Sequence, residues 1–156
     1  MIVYVAAIGQ AMPDWVTQGV KQYTDRLPKN SLSLHWLQIR AEKRHKQANI
    51  ARLLDIEGEK LLSAVPPHTE LIALDRLGTA IDTPALAKKI GQYKDIGQSI
   101  CIVIGGPEGL SDKVLSAAHH RWSLSALTLP HPLVRILLAE QVYRAWSILS
   151  HHPYHR

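Results

Sequence analysis

Five short stretches of the chain, Ile2–Ile8 and residues 32–39, 71–74, 100–104 and 122–127, are continuously apolar or alternate apolar with polar positions. Gly, Pro or charged residues bound most of them, so they read as strands. Between them, residues 13–27, 49–65, 84–96 and 111–118 carry apolar positions at helical spacing, and a final helix is expected over about 133–150. Thr83 followed by Pro84 reads as an N-cap and first helical residue, and Ser111 with Asp112 as a second helix start.

Strand and helix alternate over the whole length, which requires crossover connections and a mostly parallel sheet with helices on both faces. The fold class is therefore α/β. Only the Pro66-Pro67 pair and a basic loop over 40–47 interrupt the pattern, so residues 1–156 are expected to form a single domain. The last helix differs from the others: it is apolar on nearly every side, with Glu140, Arg144 and Ser147 forming one narrow polar stripe and Arg135 on roughly the opposite face. A helix of that kind is buried all round. In so small a protein such burial is easier against a second subunit, which makes a homodimer the expected assembly, with complete burial inside one chain as the alternative.

Composition adds limits. The chain has 156 residues and is 46% hydrophobic and 20% charged, a profile that suits one core without staples. Cys101 is the one cysteine and has no partner for an intrachain disulfide. With no 18-residue apolar run and no basic stretch ahead of Ile2–Ile8, the expectation is a cytoplasmic protein with no membrane segment. Eighteen Lys and Arg against thirteen Asp and Glu leave a net charge of +5, which permits a polyanionic partner without requiring one. The distribution is more telling, because Arg40, Lys43, Arg44 and Lys46 are opposed only by Glu42 and six of nine His lie beyond residue 118.

In an open parallel sheet, ligands bind outside the carboxyl ends of the strands. Three loops qualify: Asp75-Arg76-Leu77-Gly78, Gly105-Gly106-Pro107-Glu108-Gly109, and residues 125–132. The glycine loop fails as a dinucleotide fingerprint, because it comes late in the chain, reads G-G-P-E-G, and includes a carboxylate and a proline without an N–H. There is no G-x-x-x-x-G-K-[ST] either, so a polyphosphorylated ligand is disfavoured. His151, His152 and His155 lie close in sequence but lack a Cys pair, an H-E-x-x-H or neighbouring carboxylates, so no metal is expected and a solvated or RNA-facing tail is the better reading. Ser125 lacks a nucleophile elbow, and nothing marks an acid to orient His131.

Four linked motifs carry a resemblance: Ile104-Gly105-Gly106-Pro107-Glu108-Gly109-Leu110, Leu124-Ser125-Ala126-Leu127-Thr128-Leu129-Pro130-His131, Glu140-Gln141-Val142-Tyr143-Arg144-Ala145-Trp146, and the terminal Pro153-Tyr154-His155-Arg156. In order and spacing, and over the full chain, the sequence resembles the family of ribosomal large-subunit pseudouridine N3-methyltransferases. The resemblance implies a SPOUT-type α/β fold with a C-terminal trefoil knot, a homodimer, S-adenosylmethionine as cofactor, and a pseudouridine of 23S rRNA in the large ribosomal subunit or assembled ribosome as substrate. Periodicity alone would have predicted an unknotted doubly wound sheet.

Carried over residue by residue, the resemblance assigns cofactor binding to Leu74, Gly105, Leu124, Ser125, Ala126, Leu127, Thr128 and Leu129. Mostly apolar positions suit a methionine-derived cofactor, since adenine lies against aliphatic side chains and backbone groups read its edge. Candidate catalytic groups are Tyr154, His155 and Arg144, each able to help remove the N3 proton or stabilise negative charge on the base. Each has a plainer alternative: Arg144 lies four residues after Glu140, the spacing of a helix ion pair, and Leu74 and Leu127 fit a strand core. Arg135 reads as a phosphate contact or an interface residue. Two other classes remain open on sequence grounds, a non-catalytic RNA-binding module and a Rossmann-like oxidoreductase.

Overall fold

The structure, a computed structural model, describes residues 1–9 and 11–156. Five parallel strands, β1 (Ile2–Ile8), β2 (Ser33–Ile39), β3 (Thr69–Ala80), β4 (Ser99–Ile104) and β5 (His120–Ser123), form a sheet in the order β2-β1-β4-β3-β5. Between and after them lie α1 (Asp14–Thr24), α2 (Ile50–Ala64), α3 (Thr83–Asp95), α4 (Asp112–Ala117) and α5 (His131–Leu149), and the chain closes with a 3-10 turn at Pro153–His155.

The near-continuous apolar strands are explained by burial on both faces. In β4, Ile100, Ile102 and Ile104 pack toward α1, α3 and α5, while Cys101 and Val103 pack toward α2 and α4; in β1, Val3, Val5 and Ala7 take the first face and Ala6 and Ile8 the second. The period of two along each strand thus divides one apolar run between two cores.

Helix starts are set by local hydrogen bonds. Asn49 and Ser111 accept from the backbone N–H groups of Arg52 and Val114 and cap α2 and α4. At α3 the cap is Asp82 rather than Thr83: its Oδ1 accepts from Ala85 N at 2.7 Å, whereas the Thr83 hydroxyl donates to Gln141 Oε1 at 2.6 Å and ties α3 to α5. Two strand boundaries also differ from the periodic reading. β3 runs on to Ala80, because residues 75–78 form a bulge in which both Leu74 and Thr79 are in register with Trp122. β5 is short and ends at Ser123, so residues 124–129 are a loop beyond the sheet. Their apolar character resembles that of a strand, but no neighbouring strand extends to pair with them.

Helix α5 lies between α1 and α3, which bury seven of its nineteen residues and leave only Leu133 exposed. Its all-round apolar surface is therefore covered largely within one chain, and the helix alone does not demand a partner. Arg135 is buried rather than available to phosphate, at 2% exposure. Its Nη2 donates to the carbonyls of Ile8 at 3.2 Å and Gly9 at 2.6 Å, its Nε donates to His131 Nε2 at 2.9 Å, and its guanidinium lies 5.6 Å from the centre of the Trp36 ring. Replacing Arg135 with Met keeps the apolar stem and strands these acceptors. We expect a loss of about 2–4 kcal/mol in unfolding free energy, read as a lowered urea midpoint with unchanged slope. An unchanged midpoint would mean that water replaces the guanidinium at no cost.

Candidate active site

The carboxyl ends of β3, β4 and β5 open into a cleft of about 1100 Å³ lined by the loops that follow them and by the first turn of α5. Leu74, Ile104, Leu124, Leu129 and Val134 supply apolar walls. The glycine loop forms one lip, folded so tightly that Gly106 and Gly109 make an isolated antiparallel bridge and a Cβ on Gly105 would lie 2.1 Å from the Gly109 carbonyl oxygen. Gly109 has φ +88, a conformation that side chains other than glycine's rarely adopt. A glycine at Gly78 is required for a similar reason, since a Cβ there would lie 2.8 Å from the backbone of Arg121 and Trp122. Arg121 pairs with Asp75 across the same corner.

On the opposite wall, His131 accepts the Arg135 Nε–H and contacts the backbone at Gly105. Burial, then the charge of Arg135, hold its pKa below the ordinary histidine value, so it is a neutral ring with Nε2 as acceptor. In the second loop, Ser125 Oγ accepts from Leu127 N at 2.9 Å while its carbonyl accepts from the Ser123 hydroxyl at 3.1 Å, which shapes residues 123–127 into a turn. Leu127 is 74% exposed, which excludes the strand-core alternative for that residue.

The other candidate cluster lies elsewhere. Glu140 Oε1 accepts from Arg144 Nε at 2.8 Å and from the Tyr154 hydroxyl at 3.0 Å, and the Arg144 guanidinium sits 4.8 Å from the centre of the Tyr154 ring. Tyr154 packs edge-on to Tyr143 at 4.7 Å, and Arg26 covers both rings. The tail is therefore folded back on α5 rather than free in solvent: His152 caps the terminal turn and lies 5.3 Å from Trp146. His155 Nδ1 is buried without a hydrogen-bond partner. Desolvation, then the hydrogen bond to Glu140, push the Tyr154 phenol up to about 12. Among the described residues, no group of three or more His, Cys, Asp or Glu stands together as a metal site, and no helix is long and apolar enough to cross a membrane.

Residues 1–155 match the family model described as predicted SPOUT methyltransferase. The chain belongs to the SPOUT methyltransferase family. It is 48% identical over 156 residues, the whole of both chains, to the ribosomal RNA large subunit methyltransferase H of Coxiella burnetii (strain Dugway 5J108-111). A solved structure, that of a probable methylase family protein from Haemophilus influenzae Rd KW20, superposes with TM-score 0.59 over 97% of this chain and 69% of its own, and at 14% identity it supports the fold alone.

This methyltransferase uses S-adenosylmethionine. The cleft fits that cofactor by its chemistry. Its walls are apolar beside exposed backbone, no lysine lines it, and one of its two arginines is committed to Asp75, so there is no cage for a polyphosphate. Of the carboxylates along the same rim, Asp75 is paired with Arg121 and Glu108 with Arg44, while the exposed Asp112 suits a cationic amino group. Of the residues expected to hold the cofactor, Leu74, Gly105, Leu124, Ser125, Leu127, Thr128 and Leu129 line this cleft together, whereas Ala126 is exposed and does not. Arg144 and Tyr154 are brought together through Glu140, and neither they nor His155 line the cleft. Sequence reasoning missed the His131–Arg135 pair. The i, i+4 spacing of a cation and an imidazole was visible, but its inward direction was not.

Two outcomes follow. S-adenosylhomocysteine should raise the melting temperature while NADH should not, corresponding to about 2.7 kcal/mol at a hundredfold excess over Kd. Gly105→Ala should abolish that shift, because the Gly109 carbonyl must move, and a retained shift would remove the loop from the site. His131 provides a pH test. Its lowered folded-state pKa means the unfolded chain binds the proton more readily, so its contribution to stability is present above about pH 6.5 and is lost as pH falls toward the folded-state value. The drop in urea midpoint between pH 7.5 and 5.5 should be smaller in His131→Gln than in the unaltered protein, and an equal drop would show that the ring protonates freely.

Proposed function

We propose that this methyltransferase transfers a methyl group from S-adenosylmethionine to N3 of a pseudouridine in the 23S rRNA of the large ribosomal subunit, acting as a cytoplasmic homodimer. The observation that carries the reading is the full-length 48% identity to a protein named for methylation of large-subunit ribosomal RNA. The cleft and the position of the tail supply its physical support. The trefoil threading implied by the sequence resemblance belongs to the same proposal.

When bound, the cofactor supplies a methyl group activated by a positively charged sulfur. The chain's own residues do the rest. Leu74, Gly105, Leu124, Ser125, Leu127, Thr128 and Leu129 hold the cofactor against apolar walls and fix its orientation. Tyr154 is held protonated with its one hydroxyl hydrogen donated to Glu140, so it orients the Glu140–Arg144 pair beside the base rather than accepting the proton. Arg144 stabilises negative charge on the ring, and His155, the imidazole of the terminal turn, is the group suited to accept the N3 proton.

The geometry favours action across a dimer. Helix α5 lines the cleft only through His131 and Val134, and Arg144 lies ten residues further on. That is about 15 Å of helix rise, so the tail of one protomer serves the cleft of its partner.

The test is methyl transfer to ribosomal particles. Particles carrying pseudouridine should be labelled, whereas particles with uridine at the target and protein-free 23S rRNA should not, and equal labelling would defeat the substrate assignment. Deleting Tyr154 to Arg156 should preserve dimerisation and S-adenosylhomocysteine binding but slow transfer by at least about 10²-fold. Arg144→Ala should slow transfer while costing only about 0.5 kcal/mol of stability, as expected for a partly exposed helix pair. Heterodimers of a Gly105→Val subunit with a tail-deleted subunit should regain up to one working site. Recovery of none would place the tail in its own chain's cleft.

A further inference from the structure

The basic loop noted in the sequence is pinned to the lip of the cleft through one side chain. Arg44 donates from Nη1 to Glu57 Oε1 at 2.6 Å and to the Glu42 carbonyl at 2.8 Å, from Nη2 to Glu57 Oε2 at 3.0 Å and Glu108 Oε2 at 2.7 Å, and from Nε to Glu108 Oε2 at 3.0 Å. Glu57, on α2, is 2% exposed and also accepts the Glu42 N–H at 2.9 Å. Glu108 belongs to the glycine loop that lines the cleft. A Cβ on Gly106 would lie 2.8 Å from Arg44 Nη2, so the guanidinium sits directly against that loop.

Arg44 is thus spent on two carboxylates from different elements and is not available to an anion, although its sequence neighbours are. Arg40, Lys43, His45 and Lys46 are exposed around it. Lys60 pairs with Glu42, which occupies the one acidic side chain within the loop. What remains outward is a short positive surface held at a fixed position beside the cleft, in the right place for the backbone of a strand whose base enters that cleft.

We propose that segment 40–48 is the surface that contacts phosphates flanking the target nucleotide, and that Arg44 is a positioning residue that couples this surface to the cofactor-binding glycine loop through Glu108. The inference rests on the RNA-methyltransferase reading above and deepens it. By linkage, whatever stabilises the loop arrangement at one side favours binding at the other. An arginine is required because a planar fork can meet two carboxylates at once, which a lysine ammonium cannot do with the same geometry.

The variants separate the two roles. Lys43→Gln/Lys46→Gln removes two outward charges and leaves the clamp intact. It should raise the KM for ribosomal particles at least threefold and reduce the log–log salt slope by about 1.4–1.8, with the dissociation constant for S-adenosylhomocysteine within twofold by calorimetry. Glu108→Ala keeps the buried Glu57–Arg44 pair, so folding is retained, and cuts only the link between loops. It should weaken S-adenosylhomocysteine binding at least fivefold and raise the particle KM together. Adding Arg44→Gln to Glu108→Ala also strips the buried Glu57 of its partner and so lowers stability, but at temperatures where both variants are folded it should bring no further loss of cofactor binding, since the link to the glycine loop is already cut. The coupling is overturned if Glu108→Ala leaves both constants within twofold or if the two losses add. The surface assignment is overturned if the lysine pair leaves KM and salt slope unchanged. Failure of the methyltransferase reading would appear differently, as absent S-adenosylhomocysteine binding in the unaltered chain.

Discussion

A buried cation organises the carboxyl edge of the sheet. Arg135 has no carboxylate within ion-pairing distance among the described residues, and its donors go instead to the carbonyls that end β1 and to the imidazole of His131. Desolvating a guanidinium costs several kcal/mol unless its hydrogens are satisfied, and carbonyl groups at the end of a parallel strand are among the few acceptors available at that depth. The arrangement fixes the start of α5 relative to β1 and holds His131 neutral against the glycine loop. The cleft therefore has one wall set by a charge that never reaches solvent.

The opposite lip is set by a different device with the same logic. At Gly105 the backbone of the loop passes closer than any side chain allows, and the Glu108 carboxylate, held well below the ordinary carboxylate range by its hydrogen bonds to Arg44, anchors the loop outward to α2. One side of the loop is fixed by sterics and the other by charge. Between them the cleft is preformed, as expected where catalysis depends on alignment of two bound partners.

The residues expected to hold the cofactor and the proposed catalytic groups are separated within one chain, and that separation would give the proposed homodimer a functional meaning that burial of α5 does not. The apolar surface of α5 is mostly used up by α1 and α3. The Glu140–Arg144–Tyr154 cluster, by contrast, is a built polar constellation that does not line the cleft. In the proposed homodimer a second subunit would bring the two together.

The sequence by itself determined the layers of this protein. Local forces control them: apolar runs bounded by turn residues produced β1, β2 and β4, and side chains at Asn49 and Ser111 capped helices where the pattern expected them. The family resemblance also grouped Gly105 with the 124–129 segment, and all of these but Ala126 line one cleft. What lay beyond local pattern was decided by tertiary structure. The strand expected over 122–127 ends at Ser123 and the chain beyond it is a loop, since strand formation needs a neighbour and β3 stops at Ala80, opposite Ser123. The cap of α3 moved to Asp82 because Thr83 is claimed by Gln141 from another helix. Arg135 turned inward, the histidine-rich tail folded onto Tyr143 and Trp146, and Arg44 left the basic loop to join two distant carboxylates. In each case the partner is remote in the chain, and the energy of a charge or hydrogen bond depends on which distant groups share its surroundings, which no spacing along the sequence encodes.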